Sequence, residues 1–378
     1  MIIKKRFRVD IDKLVKNYFK KKGLPLDIAV TFSDVIIKDN FSTIDSRSDI
    51  ENLKTQLTKN ISLNIPIVSS NMADVTGAKM AIALANLGGL GFLHQFSDLE
   101  ERIQQVKIVK NEKPIGPNAV VDMKGKLMVG VSIRLNGDYL KETEELLRAG
   151  ADVILLDTAR GNSRRVRDAV KEIKKAFPSV QLVVGNIDTP EAAYMLIKAG
   201  ADCLKVGIGP GSACKTREAT GVGIPQITAV ASCAAVAREF GIPIISDGGI
   251  RSGADLSKAI VAGANLVMLG GMLAGVDESP GNIKTEKGQK FKVFRGSASK
   301  EHQLDRIKEG SLDKVRPAEG VARKVPYAGS LNELMRELLG VFQSSMSYVG
   351  AENLDKFWKL GKFVRQTHSG YQEGKPQA

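Results

Sequence analysis

Short, almost wholly apolar runs recur along this chain, and each is followed by a stretch with helical spacing. The runs are IPIVSSNM (65–72), LGFLHQ (90–95), LMVGVSI (127–133), DVILLDT (152–158), QLVVGNI (181–187), DCLKVGI (202–208), PIISDGG (243–249) and LVMLGG (266–271). Between them lie segments such as NGDYLKETEELLRAG, RRVRDAVKEIKKAF, PEAAYMLIKAG and ADLSKAIVAG. Several end in glycine, the residue that most easily takes the left-handed turn closing a helix. Strands buried on both faces read as continuous Val/Ile/Leu runs, and their alternation with amphipathic helices indicates a parallel sheet. Eight such units in succession predict a (β/α)8 TIM barrel, with a doubly wound open sheet as the alternative. The phrases AGAD, AGAD and AGAN, at 149–152, 199–202 and 262–265, precede the fourth, sixth and eighth runs and favour one repeated unit, hence the barrel.

The pattern breaks after the eighth run. Residues 276–330 are polar and turn-rich, and an excursion of that length usually carries function. It reads as a β-hairpin over KTEKGQKFKVF followed by a flap. Residues 331–350 then supply the last barrel helix. The expected organisation is a basic N-terminal extension (1–29), a single barrel domain (30–362) that includes the excursion, and a C-terminal tail (363–378) poor in apolar residues. That tail reads as disordered or as an arm reaching a neighbour.

Composition narrows the function classes. No run of eighteen apolar residues exists, so no membrane span is expected. The N-terminus has basic residues but no apolar stretch before a small-residue cleavage site, so no signal peptide is expected. Three cysteines (Cys203, Cys214, Cys233) without CxxC spacing do not make a disulfide framework, and a cytoplasmic location follows as an expectation. Three scattered histidines do not make a zinc site. The net charge of +13 is spread along the chain, denser at the N-terminus, with only 5% aromatics. Nucleic acid binding usually brings clustered basic residues with interleaved aromatics, so a solvated basic surface is the better reading.

Barrel chemistry sits at the C-terminal ends of the strands. Those ends here are rich in Gly, Ser, Asn and Asp, which let backbone N–H groups approach a ligand and form anion nests. The most informative is GIGPGSACKTREATGVGIPQ (207–226), where Cys214 lies in a glycine-rich loop next to Lys215 and Arg217. Catalytic cysteines act as thiolates, which positive surroundings favour. Cys203 and Cys233, in a strand and a helix, read as inert buried thiols. GPGSACKT resembles a P-loop in spacing, but Cys214 stands where the second glycine must be, which argues against nucleotide triphosphate binding there. Glycine pairs in SDGGI (246–250) and LGGMLAG (269–275) fit the phosphate site common after the last two barrel strands. They fit tight helix packing as well. Asp247 and Asp157 stand at strand ends where they could accept ribose hydroxyls, and Met72 could stack on a base.

The cysteine loop, together with TFSDV, SSNM, GGLGFLH, DTARGNS, GNIDT, DGGI, GGMLAG, RGSAS and SYVGA, resembles the IMP dehydrogenase / GMP reductase family over nearly all of residues 30–371. The resemblance implies that Cys214 attacks purine C2, with Thr216 and Glu319 activating the departing or arriving group. It implies a purine mononucleotide, GMP or IMP, held by Ser70, Met72, Ser212, Asp247, Gly249, Gly270, Gly271, Gly296, Ser297 and Arg316. It places Asp157, Arg160, Asn186, Ser344 and Tyr348 on the nicotinamide cofactor. Backbone carbonyls of Gly209, Gly211 and Cys214 would ligate a monovalent cation such as potassium, and a homotetramer is implied.

Two activities share this chemistry. A dehydrogenase moves hydride from IMP to NAD and then needs an activated water, which the family obtains from an Arg-Tyr pair on a long flap. A reductase expels ammonia from GMP and accepts hydride from NADPH. No Arg-Tyr pair lies between Gly296 and Glu319. Arg316, Asn71, Phe294, Ser344 and Tyr348 resemble reductase features. In contrast, GVGIPQITAV and VPYAGSL resemble the dehydrogenase, and Gln95 stands where reductases often carry Lys. The expectation is a GMP reductase using NADPH, with IMP dehydrogenase using NAD as the alternative. The tandem CBS module that the family inserts after its second helix cannot fit in residues 108–127.

Overall fold

A computed structural model describes residues 9–50, 52–300, 303–304 and 317–376. All eight apolar runs form parallel strands, and these close into a barrel. In chain order the barrel strands are β4 (Ile67–Ser69), β5 (Leu90–Leu93), β6 (Gly130–Ile133), β7 (Val153–Asp157), β8 (Leu182–Ile187), β9 (Cys203–Val206), β10 (Ile244–Asp247) and β11 (Leu266–Leu269). Before them come β1 (Val35–Ile37) and the short antiparallel pair β2 (Thr55–Gln56) and β3 (Ser62–Leu63). Helices α2 (Ala78–Asn86), α3 (Leu99–Asn111), α4 (Tyr139–Ala149), α5 (Arg164–Ala176), α6 (Pro190–Ala199), α8 (Gln226–Ala237) and α9 (Gly253–Ala262) alternate with the strands. The five-residue α7 (Thr216–Thr220) sits in the cysteine loop.

Side chains alternate across each strand. One set, including Val68, Leu90, Phe92, Val153, Leu155, Val183, Cys203, Ile245, Leu266 and Met268, fills the barrel interior with Leu57, Ile61 and Leu63. The other set packs outward against the helices. The same alternation carries Asp157, Lys205 and Asp247 inward, each two residues past an interior apolar side chain, to the rim where the strands end.

The AGAD and AGAN phrases have a physical role in closing each unit. Their glycines, Gly150, Gly200 and Gly263, end α4, α6 and α9 with positive φ of 107°, 113° and 125°. The last residue of each phrase then accepts from the N–H of a neighbouring segment. Asp152 accepts from Val129 (2.8 Å), Asp202 from Leu182 (2.8 Å) and Asn265 from Ile244 (3.1 Å). Lys110 and Lys174 neutralise the two aspartates.

Residues 1–29 were expected as an extension, yet their described part is tied to the barrel. Helix α1 (Ile11–Lys22), capped by Asp10 on the N–H of Lys13, buries Ile11, Tyr18 and Phe19 and packs against α8. The tail is likewise anchored: β15 (Phe363–Arg365) pairs antiparallel with β1, and a short helix, α12 (His368–Glu373), follows. The excursion contains the expected hairpin, β12 (Lys284–Glu286) and β13 (Gln289–Arg295). It gains an unforeseen third strand, β14 (Ala322–Pro326), beside β13. Arg295 pins this sheet to the barrel through both carboxylate oxygens of Asp74, at 2.9 and 2.7 Å. Helices α10 (Leu331–Val349) and α11 (Leu354–Leu360) complete the outer layer. No helix among the described residues is long and apolar enough to cross a membrane.

Candidate active site

A cavity of about 1030 Å³ opens at the C-terminal ends of the strands. Its wall includes Ser70 and Met72 after β4, Asp157 at the end of β7, Asn186 on β8 and the whole stretch Gly207–Cys214. Asp247 at the end of β10 and Gly249 after it, Gly270 and Gly271 after β11, Gly296, Ser297 and Glu319 close it. The structure thus brings most of the expected site residues to one place. Arg160 is exposed on the loop after β7, while Ser344 and Tyr348 sit on α10; none of the three lines this cavity. Arg316 and most of the expected flap lie outside the described residues.

Cys214 is exposed to the cavity. Its Sγ lies 3.2 Å from the Thr216 hydroxyl oxygen, and that hydroxyl donates to Glu319 Oε2 at 2.9 Å. A hydroxyl carries a single hydrogen, and a carboxylate can only accept. Thr216 therefore gives its hydrogen to Glu319 and accepts the thiol hydrogen from Cys214, so a path for one proton runs from sulfur to carboxylate.

Backbone pairing assembles this relay from distant segments. Lys215 N–H donates to the Glu319 carbonyl (2.7 Å), Val321 N–H to the Ala213 carbonyl (3.0 Å), and Gly296 N–H to the Val321 carbonyl (3.0 Å). The three backbones can lie this close because two of the residues are glycine. A Cβ on Gly296 would stand 2.5 Å from the Ala213 oxygen, and one on Gly320 would stand 3.1 Å from it. Arg217 holds the loop from below, its Nε donating to the Ile208 carbonyl at 2.7 Å and its guanidinium also reaching the Ile224 carbonyl.

Glycines also shape the opposite wall. A Cβ on Gly271 would meet Ser212 Oγ at 2.9 Å, and one on Gly248 would meet the Gly211 amide nitrogen at 3.0 Å. The ends of β10 and β11 and the cysteine loop thus converge through backbone, with Ser212 between them. Glycine-rich walls of this kind let backbone come close to a bound anion.

Lys205, which the sequence reading missed, organises the cavity floor. It is buried, and its ammonium lies 2.9 Å from Asp157 and 2.7 Å from Asp247; it also donates to Asn186 Oδ1. Burial alone would lower its pKa, but Asp157 and Asp247 more than offset that and hold it above the ordinary lysine value. Gly185, which pairs with Asp157 on one side and Lys205 on the other, makes the bridge possible. A Cβ there would fall 2.7 Å from Lys205 Cβ. The available signal was a lone charge inside the apolar run DCLKVGI, in phase with the interior-facing cysteine.

Asp157 accepts three side chains: Lys205, Asn71 (3.0 Å) and Gln95 (3.4 Å). Asn186 donates to Asp247 at 3.0 Å. Gln95 Oε1 is buried in the same wall and, among the described residues, has no hydrogen-bond partner, which suits it to accept a ligand N–H. Two carboxylates with fixed partners and one vacant acceptor fit a hydroxyl-rich, amide-bearing ligand, and a dinucleotide is one. Cys203 is an interior thiol whose pKa burial pushes up, and burial raises Cys233 in the same way. Neither is a nucleophile at neutral pH.

The family model described as "IMP dehydrogenase / GMP reductase domain" matches residues 29–377. An inosine-5'-monophosphate dehydrogenase of Borreliella burgdorferi is 39% identical, over 92% of this chain and 96% of its own length. That of Nitrosopumilus maritimus is 34% identical, over 92% of this chain and 98% of its own. The alignment with the latter spans 465 positions against 378 residues here, so that relative carries an insertion that this chain lacks. Among solved structures, a cysteine-to-alanine variant of a GMP reductase from Trypanosoma brucei, in complex with guanosine 5'-monophosphate, superposes with a TM-score of 0.88. It is 31% identical and covers 93% of this chain and 98% of its own.

Proposed function

Because the chain belongs to the IMP dehydrogenase / GMP reductase family of purine-nucleotide oxidoreductases, we propose that it catalyses the NADPH-dependent reductive deamination of GMP to IMP and ammonia. The observation that carries this reading is a complete Cys214–Thr216–Glu319 relay with no Arg-Tyr pair between Gly296 and Glu319 to activate water.

In this reading the GMP phosphate lies in the cradle of Ser212, Gly249, Gly270 and Gly271, with its ribose on Asp247 and its base between Met72 and Cys214. Ser70, Gly296, Ser297 and Arg316 complete the substrate contacts. The Cys214 proton passes through Thr216 to Glu319, and the sulfur bonds to C2. The C2–N bond then breaks, its electron pair leaving on nitrogen. Glu319 returns the proton through Thr216 to that nitrogen, so ammonia departs neutral. When bound, the reduced nicotinamide supplies the hydride that takes the place of sulfur at C2. The electron pair of the C–S bond then restores the Cys214 thiolate. Asp157 and Asn186 hold the cofactor, with the free Gln95 oxygen able to accept an amide N–H. Arg160, Ser344 and Tyr348, outside the cavity of a single chain, would reach the cofactor only across an interface, in keeping with a homotetramer. Carbonyls of Gly209, Gly211 and Cys214 would hold potassium; that of Gly211 already accepts the Cys214 N–H at 3.0 Å and keeps one lone pair.

The second reading, oxidation of IMP by NAD, is favoured by the names of the curated relatives. Parallel absorbance assays separate the two, one with GMP and NADPH or NADH, the other with IMP and NAD, each with and without potassium. Loss of reduced cofactor with release of ammonia and IMP is the expected result. Growth of NADH with XMP would overturn the reductase reading and direct attention to Thr216, Glu319 and Arg316 as the water-activating groups.

A further inference from the structure

A concentration of positive charge that the proposed reaction does not use lies at the other end of the barrel. The last turn of α1 and the segment from α11 to β15 enclose an open cleft of about 660 Å³ lined by Asn17, Lys20, Lys21, Lys359 and Lys362. Tyr18 donates to the carbonyl of Ala262, at the end of α9, and accepts from the Trp358 indole N–H. Ala262 closes the helix that leads into β11, so the cleft borders the N-terminal face, remote from Cys214.

Beneath these lysines the charge continues inward. Lys22 is fully buried and donates to the carbonyls of Trp358 and Gly361. The Trp358 ring carries three cations: Lys21 at 4.6 Å and Lys22 at 4.7 Å from its centroid, and the Arg238 guanidinium at 3.5 Å. Among the described residues no carboxylate lines the cleft; just outside it, Asp355 is paired with Lys359. Like charges held this close repel, and the repulsion is visible on Lys22. Its pKa is pushed down to about 7, first by burial and then by Arg238, Lys21 and Lys362. A multivalent anion would relieve this arrangement. Lysines serve phosphates as point charges, and two separate chain segments supply them here.

We propose that this cleft binds a soluble polyphosphate anion, with Lys20, Lys21 and Lys362 as its ligands and Lys359, shared with Asp355, at its edge. A small anion suits the cleft better than nucleic acid. Single-stranded nucleic acid needs aromatic faces on which bases stack, and those of Trp358 are taken by cations and by Tyr18. The proposal is independent of which nucleotide reaction the opposite face performs.

The test is calorimetric titration of the full chain with sodium tripolyphosphate at low ionic strength. Three proteins are compared: the parent, Lys21→Glu/Lys362→Glu, and Lys171→Glu/Lys175→Glu, which makes the same charge change on exposed α5 positions. The expected result is saturable binding by the parent and the α5 variant. The cleft variant should bind at least about tenfold more weakly, a difference that shrinks as salt screens the charges. Binding should also take up protons in mildly alkaline buffer, because the anion raises the Lys22 pKa. This appears as a binding enthalpy that changes with buffer. Turnover of nucleotide should be the same in all three. Absence of saturable binding would overturn the proposal, as would equal weakening in both variants, which would show diffuse charge only. Tighter binding of a short single-stranded oligonucleotide, lost in the cleft variant, would replace it with a nucleic-acid surface. Should the double charge reversal fail to fold, Lys359→Ala/Lys362→Ala carries the same comparison.

Discussion

Thr216 donates its hydroxyl hydrogen to a Glu319 carboxylate oxygen at 2.9 Å, across 103 residues of chain. The pairing leaves Thr216 only its lone pairs to offer Cys214. The consequence is directional: Glu319 is the terminus of the proton path and Thr216 its carrier. Glu319→Gln removes the terminus while keeping the side-chain shape. In the proposed reductase reaction, the step that delivers a proton to departing ammonia should slow by roughly a hundredfold, with hydride transfer affected less. Single-turnover measurements of ammonia release and cofactor oxidation check this; equal slowing of both steps contradicts the assignment.

If Cys214 forms the adduct at C2 as proposed, Cys214→Ala should reduce turnover by at least about a thousandfold, since no other described cysteine reaches the cavity. Cys203 and Cys233 are buried, and burial raises both thiols. Binding of GMP or IMP should persist, because the cradle glycines, Ser212 and Asp247 are untouched. Equilibrium binding and steady-state rates on the same preparation decide the matter.

Lys205→Met should raise KM for nucleotide and for dinucleotide together, each by about tenfold, because one ammonium positions both Asp157 and Asp247. Removing one partner of a buried ion pair typically costs about 3–5 kcal/mol, so a lower unfolding midpoint should accompany it. The rate at which iodoacetamide alkylates Cys214 should be unchanged, which distinguishes lost positioning from a collapsed site. The paired aspartates raise the folded-state pKa of Lys205 above its unfolded value. Its contribution is therefore intact at neutral pH and lost only as pH rises through that elevated folded value.

Lys22 has the opposite sign. Its folded pKa of about 7 lies below the ordinary 10.5, so between those values the unfolded chain holds a proton that the folded chain releases. Stability should therefore rise with pH through this window, and the cost of the buried charge is largest below it. Lys22→Met removes the titration. Relative to the parent, the variant should gain a few kcal/mol as pH falls from the top of the window to the bottom. Denaturant unfolding at both ends measures the difference. A constant offset between the two proteins would mean that Lys22 does not titrate in the folded chain.

Much of this molecule is legible in one dimension because its governing interactions are local or periodic. Eight apolar runs with helical segments between them specify the barrel. AGAD and AGAN mark where helix ends and strand begins, since a glycine turn and a short carboxylate or amide act within a few residues. The cysteine loop is one continuous stretch, so Cys214 and Thr216 could be named from sequence together. Other features depend on where distant segments meet. Lys205 reads as a flaw in an apolar strand until closure of the barrel sets Asp157 and Asp247 beside it, with Gly185 leaving the space. The basic N-terminal helix reads as solvated surface until α1 packs on the barrel and brings Lys20 to Lys22 against Trp358, Lys359 and Lys362. Sequence spacing determined the architecture and put Cys214 and Thr216 together in one glycine-rich loop at the ends of the strands. Charge networks were decided by the tertiary structure, because Coulomb interactions follow distance in space and burial, and neither is ordered along the chain.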